Sequence, residues 1–150
     1  MIKRITAVAL AVGLLGSAAT ADAAVKAGNY KGKTSQNAAV SLKVLSSKKA
    51  VVKFSWEGAV LSCSDGNDRQ LAGFRTPSSE KIPLSRKGKF RFSAGPDDGS
   101  LEFAAVGTVK GNRATGGLQV QARINDEGSI DPAGTITCDS DIVEWTAKRR

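Results

Sequence analysis

Apolar and polar residues alternate with a period of two along most of this chain, and this pattern constrains its fold more than any other feature. Successive side chains of a β-strand point to opposite faces, so the alternation predicts strands with one apolar and one polar face. The clearest examples lie at 40–44, 52–57, 89–92, 118–124 and 143–147. No long segment has the 3.6-residue period of a helix. We therefore predict an all-β domain of about eight to ten antiparallel strands with one face in water.

Three predicted hairpins follow one another in the chain. The Gly111-Asn112 pair matches a two-residue primed turn, and continuing its register places Gly107 opposite Gly116. These facing glycines leave a bare patch on the inner side of the sheet, which is either a bend or the floor of a ligand cavity. The other two hairpins turn at 47–49 and 95–100. Hairpins in chain order predict a meander, which forms either a single barrel or a two-sheet sandwich.

The N-terminus has the features of a signal peptide. Two cations precede an apolar run of 11 residues from Ile5 to Leu15, and the small residues of Ala21-Asp22-Ala23 follow. This order is typical of secretory signals, and the run is shorter than the ~20 residues that cross a bilayer. We predict a signal-peptide helix over 1–23, cleaved near Ala23. We also predict one β-domain over 24–150 without a transmembrane segment, located in the periplasm or outside the cell.

The chain has two cysteines, Cys63 and Cys138, which lie 75 residues apart. In an exported chain an even pair predicts a disulfide bond, and with two cysteines only one pairing exists. Closing a loop of this length stabilises a fold by about 4 kcal/mol on chain-entropy grounds. The absence of a C-x-x-C motif argues against a redox pair. The predicted bridge would span the middle of the domain.

The chain is basic, with 22 Lys and Arg residues against 14 Asp and Glu residues. Such a balance favours anionic partners. A candidate polyanion patch comprises Arg86, Lys87, Lys89 and Arg91, and smaller basic clusters lie at 48–49 and 148–150. Aromatic residues, on which nucleic-acid binders stack bases, make up only 5% of the chain. The composition therefore carries no specific nucleic-acid signal. An anionic glycan or surface is the candidate partner, and a solvated basic face without a ligand is the alternative.

The absence of histidine limits the catalytic possibilities. Without it, Ser-His-Asp triads and most zinc sites are excluded, and a pair of carboxylates of the kind that glycosidases use remains. The candidates are Glu57, Glu102, Asp139, Asp141 and Glu144. Several of them alternate with apolar residues and should face solvent. We therefore predict no catalytic residues and no cofactor.

Two acidic loops follow the cysteines closely. Asp65 and Asp68 come after Cys63, while Asp139 and Asp141 come after Cys138. The disulfide would bring the loops together, and their oxygens make them a candidate calcium or acidic-loop site. The order does not match an EF-hand loop, and Asp, Asn and Gly are ordinary turn residues. No other metal site is predicted.

Four segments carry a resemblance: 30–35, 63–66, 107–116 and 138–147. In them the chain resembles a group of small, exported bacterial β-proteins with no assigned activity. In that group the last cysteine is usually followed by Ser-Gly and then by a Trp-Thr-Ala strand. Here Asp141 stands at the place of the glycine, and Trp145-Thr146-Ala147 follows. The resemblance implies a cysteine-bridged β-barrel or sandwich without catalytic residues.

Together these features predict an exported, non-enzymatic β-domain that binds a ligand or partner. The alternatives are a histidine-free hydrolase that uses carboxylates and a purely structural or inhibitory protein. Buried carboxylates about 5–10 Å apart in one cleft would favour the hydrolase. A deep apolar cavity would favour small-ligand binding, and a solid core would favour the structural role.

Overall fold

The computed structural model describes residues 23–150, which form strands, turns and loops but no helix. The predicted signal-peptide helix lies outside the described residues, apart from Ala23. The strands are β1 (Gly28–Thr34), β2 (Ala39–Val44), β3 (Ala50–Trp56), β4 (Ala59–Cys63), β5 (Asp68–Leu71), β6 (Phe74–Arg75), β7 (Ile82–Pro83), β8 (Lys89–Ala94), β9 (Leu101–Lys110), β10 (Arg113–Ile124), β11 (Ile136–Asp139) and β12 (Val143–Arg149). The all-β prediction is confirmed.

All twelve strands belong to one antiparallel sheet, and this sheet is not closed. Its main path runs β5-β4-β11-β10-β12-β1-β2-β3-β6. The long strand β10 pairs with β12 and then with β11 along one edge, and with β9 along the other. Strand β8 pairs with β9, and β7 pairs with β3. The structure thus has one open sheet of twelve strands where we predicted a barrel or two-sheet sandwich of eight to ten. The count is higher because β5, β6, β7 and β11 are only two to four residues long and lack a clear alternation.

The hairpin of β9 and β10 has the predicted register, with Gly107 opposite Gly116 and Leu101 opposite Ala122. The hairpin of β2 and β3 is irregular because its register shifts between Ser41 and Lys43. Lys53 has a φ of 53° at this irregularity, a left-handed conformation that inserts a kink into β3. The period-two pattern therefore fails locally, and three consecutive residues at the start of β3 are buried.

The inner face of the sheet curls around an aromatic core. The Phe54 ring of β3 packs edge-on against Phe92 of β8 at 5.2 Å and against Trp145 of β12 at 5.8 Å between ring centroids. These strands lie far apart in the sheet order, so their contact shows how strongly the sheet is curved. A Cβ atom on Gly107 would lie 2.5 Å from the Phe90 ring and 2.7 Å from Trp145 Cζ2. Aromatic rings therefore occupy the inner side of the glycine patch, which is a packing site and not a cavity floor.

The disulfide between Cys63 and Cys138 is confirmed, and the two residues are direct cross-strand neighbours on β4 and β11. One further residue pair, Asp139 with Ser62, joins these strands. Beyond the cysteines, the Ser64 amide donates a hydrogen bond to Thr137 O at 2.8 Å. The bridge therefore fastens the β4–β5 hairpin to the sheet. It also indicates a non-cytoplasmic compartment, since disulfides persist where the environment is oxidising. Within residues 23–150 we find no helix that is long and apolar enough to span a membrane.

Candidate functional site

The strand connections lie at two ends of the sheet, and the charges divide between these ends. One end, which we call the basic end, comprises the turns at 45–49, 84–88 and 111–112 together with the C-terminal residues 147–150. It gathers the basic clusters that are separate in sequence: Lys48, Lys49, Arg86, Lys87, Lys148, Arg149 and Arg150. None of these segments contains Asp or Glu. The opposite end carries the turns with Asp65, Asp98 and Asp126, and Asp139 lies nearby at the end of β11.

A line of four cations crosses the outer face at the basic end, and we call it the basic row. Lys110 lies opposite Arg113, Arg113 opposite Lys148, and Lys148 opposite Lys31. All four residues are exposed. Neighbouring strands are about 4.8 Å apart, and like charges directly opposite each other destabilise a sheet. Lys31, Lys148 and Arg113 therefore form two consecutive repulsive pairs.

The basic row is not neutralised by the ion pair seen elsewhere in the described residues, which joins Arg69 to Asp65 at 2.8 Å. No salt bridge of Lys31, Arg113 or Lys148 is present within residues 23–150. Three of the four cations are thus free to bind an anion from solution. Sequence reasoning missed the row because its members belong to four strands, although the Gly111-Asn112 turn did place Lys110 beside Arg113.

The predicted polyanion patch is continuous with the basic row. Lys89 and Arg91 are exposed on the outer face of β8, opposite Thr108 and Val106 of β9. Arg86 and Lys87 lie in the turn before β8. This turn is held against β9 because the Val109 amide donates to Gly88 O at 2.8 Å. The turn therefore sits beside Lys110, at the start of the row.

An open groove of about 820 Å³ runs from residues 83–85 across β8 and β9 to β10, and we call it the outer groove. Its walls include Lys89, Arg91, Val106 and Thr108. Val106 is an apolar residue on the outer face and is 55% exposed. Gly107 and Gly116 also line the groove, with the core rings behind them. The groove thus combines an apolar wall with two cations next to the basic end.

The disulfide brings the two predicted acidic loops to neighbouring strands at the opposite end. Asp139 lies opposite Ser62, and Ser62 lies opposite Asp68. The Ser62 hydroxyl donates to Asp68 Oδ1 at 3.1 Å. The Asp65 carboxylate accepts hydrogen bonds from both terminal guanidinium nitrogens of Arg69, at 2.8 and 3.0 Å. Hydrogen bonds from Arg69 and Asn67 hold the pKa of the Asp65 carboxyl well below its usual range.

Asp139 also accepts several hydrogen bonds, from side chains and from the backbone. Gln121 Nε2 donates to it at 2.7 Å, Gln119 Nε2 donates at 3.0 Å, and the Asp141 amide donates at 2.7 Å. Burial raises the pKa of the Asp139 carboxyl, but these hydrogen bonds outweigh it and hold the pKa below its ordinary value. The chain's own donors therefore bind carboxylate oxygens of Asp65, Asp68 and Asp139, three of the four residues of the predicted calcium site. In the described part of the chain, no three His, Cys, Asp or Glu side chains cluster closely enough to hold a metal ion.

Two of the carboxylates considered for hydrolysis, Glu102 and Asp139, flank Gln121 on the wall of a depression of about 670 Å³. They lie two strands apart, a distance of about 10 Å. A general acid needs a raised pKa, whereas that of Asp139 is lowered. Glu57, Asp141 and Glu144 are exposed. The geometry therefore lends no support to acid–base hydrolysis at this depression.

The chain matches no protein-family model, no curated protein and no solved structure. The functional argument accordingly rests on the charge distribution, the outer groove and the disulfide.

Proposed function

We propose that this protein is an exported, non-enzymatic β-domain that binds an anionic partner through its basic end. The observation that carries the proposal is the basic row. Like charges directly opposite each other destabilise a sheet, and Lys31, Lys148 and Arg113 form two such pairs in succession. An anionic partner would offset this repulsion. Without a partner the row only destabilises the sheet, so the arrangement is best explained as a binding surface. Export through cleavage near Ala23 belongs to the same proposal.

The distribution of charge also orients the molecule. Beyond residue 22, the chain has 20 Lys and Arg residues and 13 Asp and Glu residues, and many of the cations lie at the basic end. A molecule with one cationic and one anionic end turns its cationic end toward a negative surface as it approaches. We therefore expect end-on binding, with the disulfide-linked acidic loops pointing away from the partner.

The test uses the oxidised mature protein, residues 24–150, on immobilised heparin as a polyanion. The double variant Lys31→Gln/Lys148→Gln removes one directly opposed pair of the basic row. The control Arg69→Gln/Arg123→Gln removes the same charge at the opposite end of the sheet. We expect the first variant to elute at clearly lower salt than the wild type, with a salt dependence reduced by about two ionic contacts. The control should elute close to the wild type.

Equal elution of the two double variants would show that only the net charge matters and would contradict the proposal. Thermal unfolding gives an independent check. Removing Lys31 and Lys148 should leave the melting temperature unchanged or raise it slightly, because the two side chains repel each other. A marked loss of stability would mean that these side chains serve the fold and not a partner.

A further inference from the structure

We propose that the outer groove binds the alkyl chain of a single-chain anionic amphiphile, such as a fatty acid, with the carboxylate held at the basic end. The inference depends on the proposed function for the charge that binds the head group. The apolar part of the site rests on separate observations.

The first observation is the concentration of exposed apolar residues beside Gly117. Val106 lies directly opposite Gly117 and is 55% exposed, and Ile142 is 73% exposed. A Cβ atom on Gly117 would lie 3.0 Å from Ile142 Cγ2, so the valine and the isoleucine flank the same glycine. These are the two most exposed large apolar side chains of the described residues. Val106 lines the outer groove, Ile142 adjoins it across Gly117, and Pro83 and the largely buried Leu84 line the other side of the groove.

The second observation is the position of the cations along the groove. Arg91 is the cross-strand neighbour of Val106, and Lys89 occupies the same position relative to Thr108, one step nearer the basic end. With its carboxylate near Lys89, the ligand would extend its alkyl chain over Val106 toward Gly117. The alkyl stems of Lys and Arg can also cover such a chain while their charged groups stay in water.

The third observation is the size and composition of the groove. Its volume of about 820 Å³ falls within the range of small-molecule sites, roughly 300–1,000 Å³. Because aromatic rings fill the interior behind Gly107 and Gly116, a ligand would lie on the outer face. The apolar residues Pro83, Leu84, Phe90 and Val106 line the groove together with the polar residues Ser85, Thr108 and Thr115. A lining that combines apolar side chains with two cations suits an amphiphile.

The test is calorimetric titration of the mature, oxidised protein with dodecanoate below its micelle concentration. Two further probes separate the parts of the ligand: butyrate keeps the carboxylate, and dodecyltrimethylammonium keeps the chain but reverses the head-group charge. We expect dodecanoate to bind with one-to-one stoichiometry and at least tenfold more tightly than either probe. Lys89→Gln should weaken dodecanoate binding several-fold, because it removes the cation beside the carboxylate.

Val106→Asp should weaken dodecanoate binding at least tenfold, because it places a negative charge on the apolar wall. The matched control Val60→Asp makes the same change at a valine of β4 that is 39% exposed and outside the groove, and it should bind dodecanoate normally. Both sites are exposed, so both variants should melt near the wild type. Absence of dodecanoate binding, equal binding by both valine variants, or equal binding of the cationic amphiphile would each overturn the inference.

Heparin retention of the same variants separates the two proposals. If the wild type is retained on heparin but does not bind dodecanoate, the groove inference fails and the proposed function stands. If dodecanoate binds but Lys31→Gln/Lys148→Gln and its control are retained equally on heparin, the proposed role of the basic row fails and the groove remains a site.

Discussion

Replacing Gly107 with alanine tests how the aromatic core is packed. The added methyl group would lie 2.5 Å from two atoms of the Phe90 ring and 2.7 Å from Trp145 Cζ2. All three distances are below any ordinary carbon contact. Neither ring can withdraw easily, because Phe90 and Trp145 are 5% and 1% exposed and both pack against Phe54. Overpacking of this kind costs about 1–3 kcal/mol.

For a domain of this length, about 3–5 °C of melting temperature corresponds to 1 kcal/mol. We therefore expect Gly107→Ala to lower the melting temperature by about 3–15 °C in a calorimetric scan of the oxidised protein. Gly117→Ala is the matched control on the neighbouring strand. Its methyl group would point outward and meet only Ile142 Cγ2 at 3.0 Å, an exposed side chain that can move. Replacing this strand glycine should leave stability unchanged or increase it by about 0.5–1 kcal/mol.

The packing argument makes a second, spectroscopic demand. Displacement of Trp145 by the new methyl group should change the near-ultraviolet circular dichroism of Gly107→Ala, while that of Gly117→Ala should match the wild type. If Gly107→Ala melts at the wild-type temperature with an unchanged spectrum, the rings do not fill the glycine patch. The inner face would then have room for a ligand, and the cavity interpretation of the facing glycines would replace the packing one.

Three further predictions concern the disulfide end of the molecule. The double variant Cys63→Ser/Cys138→Ser should lose up to about 4 kcal/mol in urea unfolding, and its amide exchange should increase first in β4 and β5, where only two residue pairs otherwise hold the hairpin to β11. Asp141→Gly should raise stability by about 0.5–1 kcal/mol in the same assay, since Asp141 has a φ of 51°, and a loss would show that its side chain matters more than its backbone. The folded pKa of Asp139 is lowered, so its contribution to stability is complete above the unfolded value of about 3.9 and declines as the pH falls through the folded pKa. The free energy of unfolding should therefore decrease less between pH 5 and pH 3 for Asp139→Asn than for the wild type. Equal decreases would contradict this.

Period-two alternation was sufficient to predict the fold class and the central hairpin, but not the complete topology. The Gly111-Asn112 turn fixed the register of β9 and β10 because a two-residue turn leaves no freedom of pairing. Strands β6 and β7 were missed because each is two residues long and forms only along the free edge of β3. The disulfide was predictable because only one pairing exists. The pairing of β4 with β11, which joins segments 75 residues apart, could not be inferred from local patterns.

The candidate site depended even more on topology. The patch from Arg86 to Arg91 is visible as a cluster in the sequence, whereas the basic row joins Lys31 and Lys148 from opposite ends of the chain. Cross-strand neighbours of this kind become visible only when every register between them is known. Val106 is a different case, because the register set by the Gly111-Asn112 turn already places it opposite Gly117 and its exposure there could have been inferred from the sequence.

The alternation of charge along the chain explains why these features converge. The turn before a strand and the turn after it lie at opposite ends of that strand, so basic and acidic turns on either side of the same strands become two charged ends after folding. The turns at 45–49 and 84–88 are basic, while those at 64–67 and 95–100 contain acidic residues. Exposed charges are screened beyond about 8–10 Å at physiological salt. The two ends therefore hardly attract each other across the molecule, and the separation contributes little to the stability of the fold. The separation of charge therefore acts mainly on a partner in contact with the basic end. Altering the basic row should change the salt dependence of binding and leave the stability of the fold nearly unchanged.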